Sequence, residues 1–272
     1  MSEVCVITGG GSGIGLAIAK NMPKEKIIVI CGRSEGKLQK AVAELEEDGH
    51  EAHYITCDVS QRRDVHELVL FAKSFGTIKN VIHAAGISPS MSDPETLIRV
   101  NAVGTKNVNM EFFKYLEPGS VIVDVASNSA YALPAIMINH ETYKLAEYHE
   151  DDFVKKMVGQ TALARGAYEK AGMAYALSKN FVIWYAQKCA FEYGPKGIRV
   201  CSVSPGLIDT EMGNLEKAQG EALIKYTAEE RMGKADELGF SIAMIADERN
   251  GYLAGVDVLI DGGSANGKNF RK

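Results

Sequence analysis

Short apolar runs alternate along this chain with longer stretches whose apolar residues recur at helical spacing. The runs are rich in Val, Ile and Cys, and they occupy Val4–Thr8, Ile27–Cys31, Ala52–Thr56, Asn80–His83, Val121–Val125, Ile198–Val203 and Val256–Ile260. Because they show little polar alternation, they are typical of strands buried on both faces of a parallel sheet. Helical spacing recurs between them, near residues 14–22, 35–48, 61–75, 93–116, 174–193 and 235–246. The alternation predicts βαβ units, the α/β fold class and a doubly wound parallel sheet of about seven strands.

One segment, residues 131–172, breaks this alternation between the fifth predicted strand and the next regular helix. It begins with the apolar run Ala132–Ile138, continues into the acidic stretch Glu147–Asp152, and ends in apolar residues at helical spacing. We therefore expect a helical insertion there. No linker divides the chain, so we expect one domain over residues 1–266, followed by a basic tail, Gly267–Lys272.

Composition narrows the possible partners. The 272 residues carry a net charge of −5, without the basic footprint of a nucleic-acid binder. No apolar run approaches the roughly 20 residues that span a bilayer, and the N-terminus does not resemble a signal peptide. Five widely spaced cysteines, mostly inside apolar runs, indicate buried thiols in a reducing cytoplasm. The six histidines lack further ligands at metal-binding spacing, so we expect no metal site.

A glycine-rich loop, Thr8–Gly15, joins the first predicted strand to the first predicted helix. Glycines let the backbone approach a phosphate without an intervening Cβ, and the helix N-terminus adds free N–H groups and partial positive charge. The loop predicts a nucleotide-binding site, although ordinary turns also contain several glycines. The residues expected to contact the nucleotide are Thr8, Gly9, Ser12, Gly13, Ile14 and Gly15.

The end of the second strand indicates which nucleotide is bound. An acidic residue there hydrogen-bonds the ribose 2′-OH of NAD, whereas an arginine accommodates the 2′-phosphate of NADP. The sequence has Gly32 at the acidic position, followed by Arg33 and Ser34. This favours NADP(H) over NAD(H). The alternative is that Arg33 is a solvated residue that opens a helix, and NAD(H) then stays possible.

Tyr175 and Lys179 stand four positions apart in the helix that follows the insertion. Residues at i and i+4 share a helix face, so an ammonium group would lie near a phenol. A nearby cation favours the phenolate and lowers the pKa of a tyrosine. The same spacing is common by chance, however, and usually means a solvated lysine beside a packed tyrosine.

Several motifs in this order make the sequence similar to the short-chain dehydrogenase/reductase family over nearly its full length. They are the Thr8–Gly15 loop, Cys57-Asp58-Val59, His83-Ala84-Ala85-Gly86, Asn101 in Val-Asn-Ala-Val-Gly, Ser127 in Val-Asp-Val-Ala-Ser, Tyr175-x-x-x-Lys179, and Ser204-Pro205-Gly206 followed by Thr210. The resemblance implies a Rossmann-type sheet and a hydride transfer between a nicotinamide cofactor and a substrate.

The resemblance also implies a role for each matching residue. Tyr175 would be the general acid in reduction and the general base in oxidation, and Lys179 would lower its pKa and hold the nicotinamide ribose. Ser127 would hydrogen-bond the substrate oxygen, and Asn101 would hold a water that links Lys179 to solvent. Asp58 and Val59 would bind the adenine. The other implied cofactor contacts are Ala84, Ala85 and Gly86 at the adenosine, and Pro205, Gly206, Ile208 and Thr210 at the nicotinamide.

Two departures from the family pattern stand out. His83 occupies a position where the family usually has Asn, so the turn is expected but its side-chain hydrogen bonds are not. Tyr175 follows Ser127 by 48 positions, which is longer than usual, so the sequence does not prove that the two residues meet. Ser129 is a rival for the serine role; Ser127 is preferred because it directly follows the strand.

The long insertion resembles the 3α-hydroxysteroid dehydrogenase/carbonyl reductase branch of the family. There, such helices lie near the substrate entrance and replace the usual oligomer contact. Leu133, Ile136 and Met137 would suit an apolar wall for a bulky alicyclic substrate, or else belong to the core or to an oligomer surface. The prediction is an NADP(H)-dependent oxidoreductase that interconverts a secondary alcohol and a ketone, acts on a hydroxysteroid, and forms a homodimer or homotetramer. A reductase of smaller sugar or acyl ketones and a non-catalytic cofactor sensor are the alternatives.

Overall fold

A parallel sheet runs through the part of the chain that the computed structural model describes, which is residues 2–267, 269 and 270. The strands are β1 (Glu3–Thr8), β2 (Ile27–Gly32), β3 (Ala52–Thr56), β4 (Thr77–His83), β5 (Val121–Val125), β6 (Arg199–Pro205), β7 (Ile208–Asp209), β8 (Gly233–Lys234) and β9 (Asp257–Ile260). The main sheet has the order β3-β2-β1-β4-β5-β6-β9, and every neighbouring pair is parallel. A separate small sheet pairs β7 with β8. The predicted doubly wound α/β fold is confirmed.

Helices connect the strands. They are α1 (Gly13–Asn21), α2 (Glu35–Glu47), α3 (Arg62–Lys73), α4 (Pro94–Ile98), α5 (Gly104–Phe113), α6 (His140–Tyr148), α7 (Glu150–Gln160), α8 (Ala167–Tyr193), α9 (Glu211–Leu215), α10 (Lys217–Ile224), α11 (Ala235–Ile245) and α12 (Ser264–Gly267). Single 3₁₀ turns cover Pro89–Met91, Asn128–Ala132, Ala135–Met137, Thr161–Leu163 and Gly194–Lys196. The helix predicted from residue 174 begins at Ala167, so the end of the predicted insertion belongs to α8.

The helix predicted over residues 93–116 is divided by a π-helical turn. Asp93 caps α4, because its side chain accepts hydrogen bonds from the next turn's amides, and Pro94 follows at the first helical position. The turn itself covers Arg99–Val103 and passes directly into α5. Such turns widen the helix by one residue and are frequent at functional sites. Apolar spacing alone does not reveal them, which is why the sequence pattern predicted one continuous helix.

Each face of the sheet is covered by its own set of helices. One face packs against α3, α4, α5 and α8, whose buried side chains include Leu68 and Phe181. The opposite face packs against α1, α2 and α11 through residues such as Ile18, Leu38 and Ile242. The strand residues between these layers are buried on both sides, which accounts for their continuous apolar sequence.

The helical insertion before α8 packs against that helix. The ring of Tyr143 in α6 lies 5.4 Å from the ring of Phe181, and the ring of Phe153 in α7 lies 5.0 Å from it. The Tyr143 hydroxyl also donates to Asn180 Oδ1 at 2.9 Å. Burying an aromatic side chain of this size stabilises a fold by about 1.5–3 kcal/mol. These contacts join the insertion to the hydrophobic core on the α8 face of the sheet.

The described helices include none that is both long enough and apolar enough to cross a membrane. All five cysteines are buried free thiols, as their apolar surroundings predicted. The predicted basic tail falls mainly on Lys268, Arg271 and Lys272, which lie outside the described residues.

Candidate active site

The predicted motifs follow the carboxyl ends of the strands, and these ends lie along one edge of the sheet. Thr8 ends β1, His83 ends β4 and Pro205 ends β6. Asp58 follows β3 by two residues, and Ser127 follows β5 by two residues. Because all the strands are parallel, residues that are far apart in the sequence meet at this edge, where ligands of doubly wound sheets bind.

The glycine loop packs tightly onto the turn that follows β4. Gly9 has a φ of +70°, and a Cβ on it would lie 2.9 Å from the Ala84 carbonyl and the Ala85 Cα. Gly13 faces another segment, since its Cβ would lie 3.5 Å from the Thr210 side chain. The exposed Ser12 is the N-cap of α1, and its hydroxyl makes no capping bond to the helix. This narrow cradle at a helix N-terminus fits a dinucleotide phosphate.

Other residues predicted to bind the cofactor lie in α1 and in the segment that follows β6. Gly15 is buried in the first turn of α1, beside the partly buried Ile14. A Cβ on Gly206 would lie 2.8 Å from the Asp261 backbone, so the chain after Pro205 has no room for a side chain there. Ile208 is buried in β7. The segment is thereby fixed against the main sheet.

On the adenosine side, Arg33 and Ser34 are exposed directly after β2, where the sequence placed the 2′-phosphate contact. Lys37, which no sequence motif marks, is also exposed, and its Nζ lies 2.7 Å from a carboxylate oxygen of Glu211. Asp58 accepts hydrogen bonds from the backbone amide and the hydroxyl of Ser60, at 3.0 and 2.7 Å. The neighbouring Val59 is buried.

His83 keeps the turn of the family pattern with a different hydrogen bond. Thr8 Oγ1 accepts from the Ala85 N–H at 3.1 Å and is hydrogen-bonded to His83 Nδ1 at 2.7 Å. Nε2 of the same ring is buried and has no hydrogen-bond partner among the described residues. Burial and the charge of Lys179 lower the pKa of His83 to about 3, so the ring is neutral.

Ser127 and Tyr175 meet despite the long insertion between them. The Ser127 hydroxyl acts on Tyr175 and partly opposes the effect of burial, which raises the pKa of Tyr175. The negative charge of Glu216 acts in the same direction as burial. The rival serine is arranged differently, because the Ser129 amide donates to Ser127 Oγ at 3.2 Å while its own buried hydroxyl lacks a hydrogen-bond partner in the described part of the chain. Of the two serines, Ser127 is therefore the one that acts on Tyr175 in the described part of the chain.

Lys179 lies on the same helix face as Tyr175, with Nζ 5.8 Å from the centre of the phenol ring. The ammonium donates to the carbonyl of Val125 at 2.8 Å. Burial lowers the pKa of Lys179 to about 8, and the charge of Asp124 opposes this effect. Burial raises the pKa of Tyr175 and outweighs the opposing effect of Ser127, so a lowering of this pKa by Lys179 stays a prediction.

Asn101 lies in the π-helical turn, and its side chain hydrogen-bonds both to the loop after β4 and to α8. Its side chain accepts from the Ile87 amide at 2.9 Å and donates to the Ile87 carbonyl at 3.0 Å and to Ser178 at 3.3 Å. Gly86 separates it from the lysine: a Cβ there would lie 3.0 Å from Asn101 Oδ1 and 3.3 Å from Lys179 Nζ. Ser127, Tyr175, Lys179 and Asn101 thus surround one short stretch of the sheet edge.

The three predicted substrate contacts differ in how far they are buried. Leu133 packs against the hydrophobic core, whereas Ile136 is 94% exposed. Met137 is partly buried, and its carbonyl accepts from Gln160. An apolar wall built from these three residues stays a prediction.

Glu216 joins three distant segments beside the candidate site, although no sequence motif predicts it. One of its carboxylate oxygens accepts from the Ser90 amide at 2.8 Å, and the other accepts from the Tyr168 hydroxyl at 2.8 Å. These bonds tie the start of α10 to the turn after β4 and to the start of α8, beside an open cleft of about 620 Å³ between residues 89–94 and 166–171. No sequence motif marks this residue, since its partners are distant in the chain.

Comparisons with known proteins find relatives over nearly the whole chain. The family model described as Enoyl-(Acyl carrier protein) reductase matches residues 9–265. The short-chain dehydrogenase/reductase bsc3 of Alternaria brassicicola is 28% identical over 270 residues, which are 97% of this chain and 96% of bsc3. The 3beta-hydroxysteroid dehydrogenase 2 of Eggerthella lenta is 27% identical over 280 residues, covering 96% and 94% of the two chains. A solved short-chain dehydrogenase from Burkholderia cenocepacia in complex with NADP is 25% identical with a TM-score of 0.75, over 97% of this chain and 98% of that one.

Proposed function

Because the chain belongs to the short-chain dehydrogenase/reductase family and is therefore an NAD(P)-dependent oxidoreductase, we propose that it interconverts a secondary alcohol and a ketone. The observation that carries this proposal is the position of Tyr175 between the Lys179 ammonium, 5.8 Å from the ring centre, and Ser127, whose hydroxyl opposes the effect of burial on the pKa of Tyr175. Two hydroxyl groups that meet beside a buried lysine suit a single oxygen atom, the one that is a carbonyl in the ketone and a hydroxyl in the alcohol.

The residues at the sheet edge fit a dinucleotide. A Cβ on Gly9 would clash with the Ala84 carbonyl at 2.9 Å, and the buried Lys179 would hold a hydroxyl of the nicotinamide ribose. When bound, the nicotinamide supplies a hydride to the carbonyl carbon or accepts one from the alcohol carbon.

The protein donates and accepts the proton that accompanies the hydride. In reduction, Ser127 donates a hydrogen bond to the carbonyl oxygen while Tyr175 gives its phenolic proton to the same oxygen as the carbon gains the hydride. The product is the alcohol, and the phenolate that remains is stabilised by the Lys179 ammonium. In oxidation, the phenolate takes the proton back. Asn101 holds the loop at Ile87 and the helix at Ser178 in position around this lysine.

We propose NADP(H) as the preferred cofactor. Gly32 leaves no carboxylate to bind a ribose 2′-OH, and the exposed Arg33 and Ser34 follow it with Lys37 one helical turn further on. The related protein from Burkholderia cenocepacia, solved in complex with NADP, supports this choice. NAD(H) is the alternative, and a comparison of the two cofactors decides between them.

For the substrate, we propose a hydroxysteroid or another bulky alicyclic alcohol and its ketone. Support comes from the hydroxysteroid dehydrogenase of Eggerthella lenta, with 27% identity, and from the helical insertion next to the candidate site. The alternative is a smaller sugar or acyl ketone.

The test is a cofactor-coupled screen of hydroxysteroids, other cyclic alcohols, sugar ketones and acyl ketones with NADPH and NADH. We expect turnover with an alicyclic ketone, abolished in Tyr175→Phe without loss of NADPH binding. Tyr185→Phe is the matched control, because this tyrosine lies on the same helix and bonds Glu147 instead. Near-normal turnover in Tyr175→Phe would refute the mechanism, and cofactor binding with no turnover on any substrate would point to a sensor.

A further inference from the structure

A row of buried polar side chains crosses the sheet directly beneath the candidate active site. Strand register pairs Thr8 with His83, His83 with Asp124, and Asp124 with Ser202. Residues paired in this way on neighbouring parallel strands carry their side chains on the same face of the sheet. All four are at most 1% exposed. Asp124 is the acidic residue among these four, and it has no role in the proton transfer described above.

The carboxylate of Asp124 is held by α5. Asn109 Nδ2 lies 3.0 Å from each of its two oxygens and also donates to the Thr105 carbonyl at 3.0 Å. The amide therefore fixes the carboxylate in a site without solvent. A buried carboxyl group stays ionised only where hydrogen bonds or a neighbouring positive charge offset its lost hydration, and otherwise its pKa rises and it is protonated.

Among the described residues, Lys179 on α8 is the cation whose charge opposes the effect of burial on the pKa of Asp124. His83 on β4 is neutral, because burial lowers its pKa to about 3. Burial raises the pKa of Cys189 on α8, and it raises that of Cys201 on β6 to about 12, so both thiols stay protonated. The remaining partner, on α5, is an uncharged amide.

The ammonium and the carboxylate interact through space. Lys179 donates to the carbonyl of Val125, the residue next to Asp124 in β5. Burial lowers the pKa of Lys179 to about 8 while Asp124 opposes the effect, and burial raises the pKa of Asp124 to about 7 while Asn109 and Lys179 oppose it. The ammonium therefore favours the ionised form of Asp124, and the carboxylate favours the protonated form of Lys179, in a region where both are buried.

We propose that Asp124 is a positioning residue that acts through Lys179: its buried carboxylate is the counter-charge that keeps the ammonium protonated beside Tyr175, and it thereby sets the alkaline limit of carbonyl reduction. The kinetic part of this inference rests on the proposed function. Reduction needs the ammonium to stabilise the phenolate that forms when Tyr175 gives up its proton. Without the carboxylate, the ammonium loses its proton at a lower pH and reduction stops there.

The test is Asp124→Asn, which keeps the shape of the side chain and removes its charge. We expect the alkaline limb of the pH profile of kcat/KM for NADPH-dependent ketone reduction to move down by about 1 pH unit, the lower end of the effect of a nearby opposite charge. Asp124→Glu, which restores the charge, should return the limb toward its original position. Ser202→Ala is the matched control: it removes a buried hydroxyl of the same row that donates to Asp257 and not to Asp124, and it should leave the limb unmoved.

A second measurement does not depend on turnover. In cofactor-free protein with ¹³C-labelled lysine, the Lys179 signal is identified by its absence in Lys179→Met, and its titration is followed by NMR. We expect it to titrate at lower pH in Asp124→Asn than in the unaltered protein. If Asp124→Asn does not fold, Asp124→Ser, which leaves room for a water, takes its place.

Unchanged titration of Lys179 in the folded variant would overturn the proposal, as would an equal shift of the alkaline limb in Ser202→Ala. The two proposals fail separately. If the unaltered protein reduces no ketone, the proposed function is wrong, while the lysine titration still decides the role of Asp124.

Discussion

The buried ring of His83 makes a quantitative prediction about the stability of the protein in acid. Burial and the charge of Lys179 lower the pKa of His83 from 6.5 to about 3 in the folded chain. In the unfolded chain the ring keeps its ordinary pKa, so between these values the unfolded state binds a proton that the folded state does not. The free energy of unfolding therefore falls as the pH drops through this window and is unaffected by His83 at higher pH.

The size of the effect follows from the two pKa values. At pH 5 the unfolded ring is almost fully protonated and the folded ring is not, which costs about 2 kcal/mol relative to pH 8. The ring is 1% exposed, so solvent does not weaken the effect. We expect the unaltered protein to lose about 2 kcal/mol more between pH 8 and pH 5 than His83→Asn, which does not titrate and restores the residue common at this position in the family.

The assay is urea unfolding of the cofactor-free protein, followed by circular dichroism at both pH values. The comparison uses the difference between the two proteins, because other groups, Asp124 included, titrate in both and cancel. His149→Asn is a matched control, since it makes the same substitution at an exposed histidine. Equal losses of stability in the unaltered protein and in His83→Asn would refute the reasoning.

Three further predictions concern activity. Ser127→Ala should lower kcat for ketone reduction by about 100- to 1,000-fold, as expected for a lost donor to the substrate oxygen, while Ser129→Ala keeps most of the activity; the reverse order would reassign the serine role. Arg33→Ala should lower kcat/KM for NADPH by about 10- to 100-fold and leave that for NADH nearly unchanged, and equal losses would exclude a 2′-phosphate contact. Glu216→Ala removes the two hydrogen bonds that hold α10 at the cleft, so KM for the ketone should rise about tenfold with little change in NADPH affinity; an unaltered KM would show that this contact does not shape the substrate site.

The parts of the site that depend on neighbouring residues were predictable from the sequence. The glycine loop lies where the first strand ends, and Tyr175 and Lys179 share one face of α8, because strand alternation and helical spacing are local properties of the chain. The strand predictions were accurate for the same reason. The start of α8 was misplaced, since residues 167–173 carry no apolar signal that separates them from the insertion.

The parts that depend on distant contacts were not predictable. A sequence that separates Ser127 from Tyr175 by a long insertion does not show which serine reaches the phenol, and no motif marks Glu216, whose partners Ser90 and Tyr168 lie far away in the chain. The π-helical turn that holds Asn101 is also invisible in the apolar spacing, because one extra residue in a turn leaves the pattern on either side intact.

The sequence by itself therefore determined the α/β sheet, the nucleotide-binding edge and the tyrosine–lysine pair, because each follows from the spacing of residues within one strand, loop or helix. Only the tertiary structure decided which serine acts on Tyr175, and only the packing of α8 on the sheet brought Lys179 to the carbonyl of Val125, next to Asp124. Those relations depend on which strands are neighbours and how far each is shifted along the next, and packing of the whole chain decides both.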